Sequence, residues 1–131
     1  MARYQQNWRS WLLPQRPGPR LPPESLNEPL PIDLQRLDDL RTAGSKMKLP
    51  HPIRSHLYFT TEKDARSAID MLKDDGYSVQ IRAEGDASWR VTGVTRLVPT
   101  PGAITRMREQ LEAICASIEG QYEGWESPLV Y

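Results

Sequence analysis

The residues that most often perform chemistry in proteins are few in this sequence and do not form a catalytic set. Cys115 lies within a predicted apolar helical stripe, where a buried thiol is unreactive. Asp74 and Asp75 end a predicted helix and are expected to be solvated. His51 and His56 are five residues apart, a spacing that fits no regular metal-binding motif. We therefore expect no catalytic residues, no metal site and no cofactor.

Composition is typical of one small globular domain. The chain has 131 residues, of which 38% are hydrophobic, and its mean hydropathy is −0.62. No apolar run approaches the roughly 18 residues that a membrane span requires, and we find no signal-peptide pattern. A single cysteine excludes an internal disulfide. These features predict a cytoplasmic protein with no membrane contact.

The charge is unevenly distributed along a chain whose formal net charge is zero. Residues 1–20 contain four arginines and no acid, so the rest of the chain has 13 basic and 17 acidic residues, a net charge of −4. Trp8, Arg9 and Trp11 in this arm are predicted to contact a partner, because tryptophan and arginine can stack on bases or grip an acidic groove. The arm could also fold back on its own acidic body.

A proline-rich segment follows the arm and sets the predicted domain boundary. Residues 14–31 contain seven prolines, which favour an extended, semi-rigid spacer. We therefore assign residues 1–31 to an arm and a mostly extended spacer, and residues 32–131 to one α+β domain.

That domain is predicted to open with a short helix over residues 33–43. Asp33 is the expected N-cap, and Gly44 suits the end of the helix. Leucines at helical spacing predict a buried face, at Leu34, Leu37 and Leu40.

Alternating and helical apolar patterns predict the remaining elements. Residues 53–59 alternate as a half-buried strand with His56 and Tyr58 on its polar face. A helix capped by Thr61 follows, and then a hairpin of two strands. A long helix starts at Thr100-Pro101 and is expected to stop at Gly120, before a short last strand. The order β-α-β-β-α-β predicts a ferredoxin-like two-layer sandwich, an antiparallel sheet with two helices on one face.

Short motifs spread over residues 37–126 resemble the regulator of ribonuclease activity B (RraB) family. The most specific is the run 121–126, Gln-Tyr-Glu-Gly-Trp-Glu, which is similar to the family's Glu-Tyr-Asp-Gly-Trp. Other matching runs are 40–44, 50–52, 56–59, 75–79, 89–92 and 100–104. The resemblance implies an α+β protein that binds ribonuclease E and inhibits it. Some members of the family have an acidic helix at the N-terminus and a long acidic tail at the C-terminus. The arm of this chain differs from that acidic helix because it is basic.

Two groups of residues in the domain are candidates for partner binding. The first is the C-terminal group Tyr122, Glu123, Gly124 and Trp125, where Gly124 is predicted to have a positive φ. These aromatic rings could instead close the core under the edge of the sheet. The second group is His56 and Tyr58, for which ordinary cross-strand packing is the alternative.

We interpret the chain as a non-enzymatic regulator that binds another protein, an RNA-processing enzyme such as a ribonuclease E-type nuclease, by covering part of its surface. A nucleic-acid or ribonucleoprotein binder that uses the basic arm is the alternative, although no RNP1-type motif supports specific RNA readout. A small enzyme is the third reading, and no acid/base or nucleophile set supports it.

Overall fold

A computed structural model describes residues 24–131. The elements in chain order are α1 (Pro31–Thr42), β1 (His51–Phe59), α2 (Glu62–Asp74), β2 (Ser78–Ala83), β3 (Trp89–Leu97), α3 (Pro101–Ser117) and β4 (Gln121–Glu126). The four strands form one sheet in the order β2-β3-β1-β4, and every neighbouring pair is antiparallel. The predicted α+β class is therefore confirmed. The arm residues Trp8, Arg9 and Trp11 lie outside the described residues.

The helices cover one face of the sheet and leave the other face open. α2 contacts β1, β2, β3 and α3, while α3 contacts β4 and α1. Alternate residues of β1 point into this layer, and Ile53, Leu57 and Phe59 are at most 2% exposed. Leu72 and Leu111 meet them from the two long helices. The core therefore lies between the sheet and the helices, as the alternation predicted.

Local capping explains where the two long helices begin. Thr61 Oγ1 accepts a hydrogen bond from Asp64 N at 3.1 Å, and Thr100 Oγ1 accepts one from Ala103 N at 3.0 Å. Pro101 occupies the first turn of α3, where a missing N–H costs nothing. Both N-caps were predicted from sequence, and both are confirmed.

The end of α3 differs from the prediction. The residue with positive φ is Glu119, at 57°, and not Gly120. Gly120 is required for another reason, because a Cβ atom there would lie 2.2 Å from Phe59 Cε1. The glycine thus lets the chain pass directly over the buried ring at the start of β4.

The prediction that Asp33 caps α1 is wrong. The helix begins two residues earlier than expected, at Pro31, and Leu30 occupies the N-cap position without a side-chain hydrogen bond. Asp33 lies in the first turn and is fully buried. Leu34, expected on the buried face, is 43% exposed, while Leu37 and Leu40 are buried.

His51 is fully buried and ties the C-terminal residues to the connection before β1. Its Nδ1 lies 2.8 Å from the carbonyl oxygen of Leu49, which can only accept, so Nδ1 carries the proton. Its Nε2 lies 2.7 Å from Ser45 Oγ, which in turn accepts from Val130 N at 2.8 Å. This histidine therefore has a structural role.

Leu111→Ala is expected to lower the free energy of unfolding by about 2–5 kcal/mol, because it empties a fully buried position at the centre of α3. Chemical denaturation measures the change. Met71→Ala, at an exposed position of α2, is the matched control and should cost much less. Equal losses for the two variants would contradict the core described here.

Gly120→Ala is expected to destabilise the domain by about 1–3 kcal/mol through its clash with Phe59. In a double-mutant cycle with Phe59→Leu, the two losses should add to more than the loss of the double variant, because the smaller side chain relieves the clash. Additive losses would show that the close approach is not the cause.

Candidate protein-binding surface

The open face of the sheet carries two neighbouring groups of polar side chains, which we together call the open-face lattice. Its members are Arg54, His56, Tyr58, Arg82, Glu84, Arg90, Thr92 and Glu126. Strand register brings them together, since Tyr58 faces Arg90 across β1 and β3, and Arg90 faces Arg82 across β3 and β2. The sequence predicted the exposed alternation of β1, but not these cross-strand partners.

Tyr58 lies at the centre of one half of the lattice. Arg90 Nε donates to Tyr58 Oη at 2.7 Å, and the guanidinium carbon lies 5.4 Å from the centroid of the ring. Glu84 pairs with both Arg82 and Arg90. Hydrogen bonding from Arg82 lowers the pKa of Glu84, so this carboxylate is ionised at neutral pH. Arg90 holds the tyrosine in place while leaving it partly exposed.

His56 lies at the centre of the other half. Its Nδ1 lies 3.1 Å from Thr92 Oγ1, and its Nε2 lies 3.0 Å from Glu126 Oε2. Arg54 approaches the same carboxylate oxygen at 3.8 Å. Exposed pairs of this kind contribute little to stability, at most about 1 kcal/mol each. The lattice thus exposes charged groups whose pairing adds little to the stability of the fold.

The last strand forms the edge beside this lattice and contains a β-bulge. Gly124 faces His56 and Tyr122 faces Leu57, so Glu123 is an extra residue without a partner on β1. Gly124 has φ +109°, as the sequence predicted. The bulge places Tyr122 and Trp125, three residues apart, on the same face of the sheet.

Tyr122 and Trp125 both face the helices. Trp125 is only 2% exposed, and Tyr122 is partly buried against the core. Burial raises the pKa of Tyr122 to about 12, which keeps its hydroxyl protonated. Glu123 is exposed on the edge. Of the C-terminal candidates, Glu123 is thus the one whose side chain the structure exposes.

A buried ion pair holds the edge strand to the helices. Arg108 donates twice to Asp33, each time at 2.7 Å, and Trp125 Nε1 donates to Asp33 Oδ1 at 3.0 Å. The guanidinium of Arg108 also lies 4.8 Å from the centroid of the Tyr122 ring. Hydrogen bonding with Asp33 raises the pKa of Arg108, so this guanidinium stays protonated. We call these four residues the Asp33 cluster.

Sequence reasoning missed the Asp33 cluster, although α3 contains a signal for it. Arg108 is four residues after Ile104 and three before Leu111, so a charged residue borders the apolar stripe of α3. A charged side chain at such a position needs a counterion if its charged end is buried. Nothing local identified Asp33, 75 residues earlier, as that counterion.

The structure does not bring the cysteine, histidine and acidic residues that were weighed as catalytic or metal-binding candidates into one site. Burial raises the pKa of Cys115 to about 11, so its thiol is protonated at neutral pH. Between residues 24 and 131, no group of three or more His, Cys, Asp and Glu side chains is arranged to hold a metal ion. No helix in that part of the chain is long and apolar enough to cross a membrane.

The fold and this surface define a small α+β domain with an open, charged sheet face. Comparison with protein-family models matches residues 32–127 to the family described as Regulator of ribonuclease activity B, RraB. The match covers most of the chain and all four strands, so the protein belongs to the RraB family. A search of curated proteins found no match.

Asp33→Asn is expected to destabilise the domain by about 3–5 kcal/mol, because it removes the charge that balances Arg108, whose side chain is only 12% exposed. The midpoint of thermal or chemical unfolding reports the loss. Asp38→Asn is the control on the same helix, since the Asp38 side chain is half exposed and, within residues 24–131, pairs only with Arg41. Similar stabilities for the two variants would show that the buried pair does not hold the fold together.

Proposed function

We propose that this protein is a non-enzymatic regulator that binds a ribonuclease E-type nuclease in the cytoplasm and acts by covering part of its surface. The observation that carries the proposal is the family match over residues 32–127, because that family regulates ribonuclease activity. The buried, protonated state of Cys115 and the separation of the two histidines support a role without chemistry of its own.

The proposed contact surface is the open-face lattice together with the exposed edge of β4. The lattice contains three arginines and two glutamates, and Arg96 adds a further exposed charge at the end of β3. Tyrosine and arginine are the side chains that most often dominate protein interfaces. The excess of positive charge on this face favours a partner surface with acidic groups.

Each C-terminal candidate has its own part in this surface. Glu123 lies at the exposed edge and would contact the partner directly. Gly124 allows the bulge, while Tyr122 and Trp125 would act indirectly, by fixing the edge strand against the Asp33 cluster. His56 and Tyr58 would contact the partner through the lattice.

The proposed architecture is ferredoxin-like. The antiparallel strand order β2-β3-β1-β4 and the contact between α2 and α3 support this assignment. In such an arrangement the helices occupy one face of the sheet, so a large partner can reach the other face without displacing any element.

Tyr58→Ala and Arg54→Glu are each expected to weaken binding to the nuclease, with the tyrosine change costing about 2 kcal/mol or more if this ring anchors the interface. Binding is measured by calorimetry with purified nuclease, together with its rate of RNA cleavage. Lys63→Glu, an exposed charge reversal on α2, is the control and should leave both unchanged.

The result that contradicts the surface assignment is wild-type affinity in both sheet-face variants together with weakened binding in Lys63→Glu. Absence of binding by the unmodified full-length protein would reject the proposed function itself. Circular dichroism of each variant confirms that the fold is retained.

A further inference from the structure

An apolar groove lies on the helix side of the domain, away from the open-face lattice. It has a volume of about 730 Å³ and lies between α1 and the connection from β3 to α3. The apolar side chains that line it are Leu34, Leu37, Met47, Val98, Pro99 and Pro101. This volume is in the range of pockets that bind small or extended ligands.

Several large apolar side chains in and around the groove are exposed. Leu34 is 43% exposed and Val98 is 37% exposed, although both line the groove. Ile32 on α1 and Leu49 in the α1–β1 connection are exposed to a similar extent. Large apolar side chains that are exposed next to one another are typical of surfaces that bind a ligand, a membrane or another polypeptide segment.

The N-terminal part of the chain joins the described structure at the rim of this groove. Thr100, which lines the groove, donates from Oγ1 to the Glu24 carboxylate at 2.8 Å. The next residue is fixed as well, since Ser25 N donates to the Gly102 carbonyl at 3.2 Å and Ser25 Oγ donates to Glu109 at 2.9 Å. Glu24, the first residue that the structure describes, therefore lies beside the groove.

The segment most suited to fill the groove is Trp8–Leu13, which has four large apolar side chains in six residues: Trp8, Trp11, Leu12 and Leu13. Ten residues separate Leu13 from Glu24. Ten residues span at most roughly 36 Å. Because the groove begins at Thr100, which is bonded to Glu24, a spacer that folds back brings the segment within reach of the groove.

We propose that the groove is the docking site of the chain's own segment Trp8–Leu13. Docking would cover Leu34, Met47 and Val98 with the tryptophan and leucine side chains, and it would place the segment on the helix side, leaving the open sheet face to a protein partner. The proposal is independent of the proposed function, because it concerns a contact within one chain.

Nuclear magnetic resonance on the full-length protein at low concentration tests the proposal. Indole protons of Trp8 or Trp11 are expected to show nuclear Overhauser contacts with the methyl groups of Leu34, Met47 and Val98. In the Trp8→Ala/Trp11→Ala variant, those methyl signals should shift as the ring currents are lost. The methyl signal of Met71, exposed on α2, serves as the internal control and should not move.

A groove variant provides the reciprocal measurement. Val98→Asp should remove the contacts and make trypsin cleavage after Arg9 severalfold faster, whereas Tyr4→Ala, in the arm but outside the segment, should change neither. An unchanged indole signal of Trp125, which is bonded to Asp33, shows that the variant is folded.

Two results would overturn the proposal. One is the absence of nuclear Overhauser contacts between the tryptophans and the groove in the unmodified chain, together with groove methyl signals that do not shift in the Trp8→Ala/Trp11→Ala variant. The other is contact between differently labelled chains that disappears on dilution, which would make a second copy the occupant. The measurement on the unmodified chain remains decisive even if a variant fails to fold.

Discussion

The pairing of Asp33 with Arg108 is the interaction on which the arrangement of this domain most depends. A fully buried carboxylate is tolerated only when its charge and hydrogen-bonding capacity are satisfied. Here two bonds from Arg108 and one from Trp125 supply that partnership. Because these residues belong to α1, α3 and β4, one carboxylate fixes the leading helix and the last strand against the same long helix.

Local signals in the sequence were sufficient for most elements of the fold. The caps at Thr61 and Thr100 depend on residues three positions away, and the core stripes depend on spacing within one helix. The alternation of β1 likewise identified His56 and Tyr58 as residues of the open face. Such features are readable because cause and effect lie within a few residues of each other.

The features that sequence analysis missed depend on contacts between distant segments. Asp33 is of a residue type that often caps helices, and it lies near the start of α1. Only its hydrogen bonds from Arg108, a residue distant in the sequence, explain why it is buried instead. Gly120 was expected to end α3. Its role is instead to leave room for the Phe59 ring, because a Cβ atom at this position would clash with it. The partners within the open-face lattice depend on the register of three strands, which no single strand encodes.

The bulge in β4 gives a physical meaning to the motif that most resembles the RraB family. In a regular strand, residues three apart point to opposite faces, but the extra residue at Glu123 turns Tyr122 and Trp125 to the same side. Loss of either residue between them would restore continuous pairing and carry the indole away from Asp33. The number of residues in Tyr-Glu-Gly-Trp is therefore constrained by tertiary contacts, because both aromatic side chains must reach the helix side of the sheet. If two chains have this motif with the same length, we expect both to pack Tyr and Trp of the last strand against the core in the same way, whatever partner each of them binds.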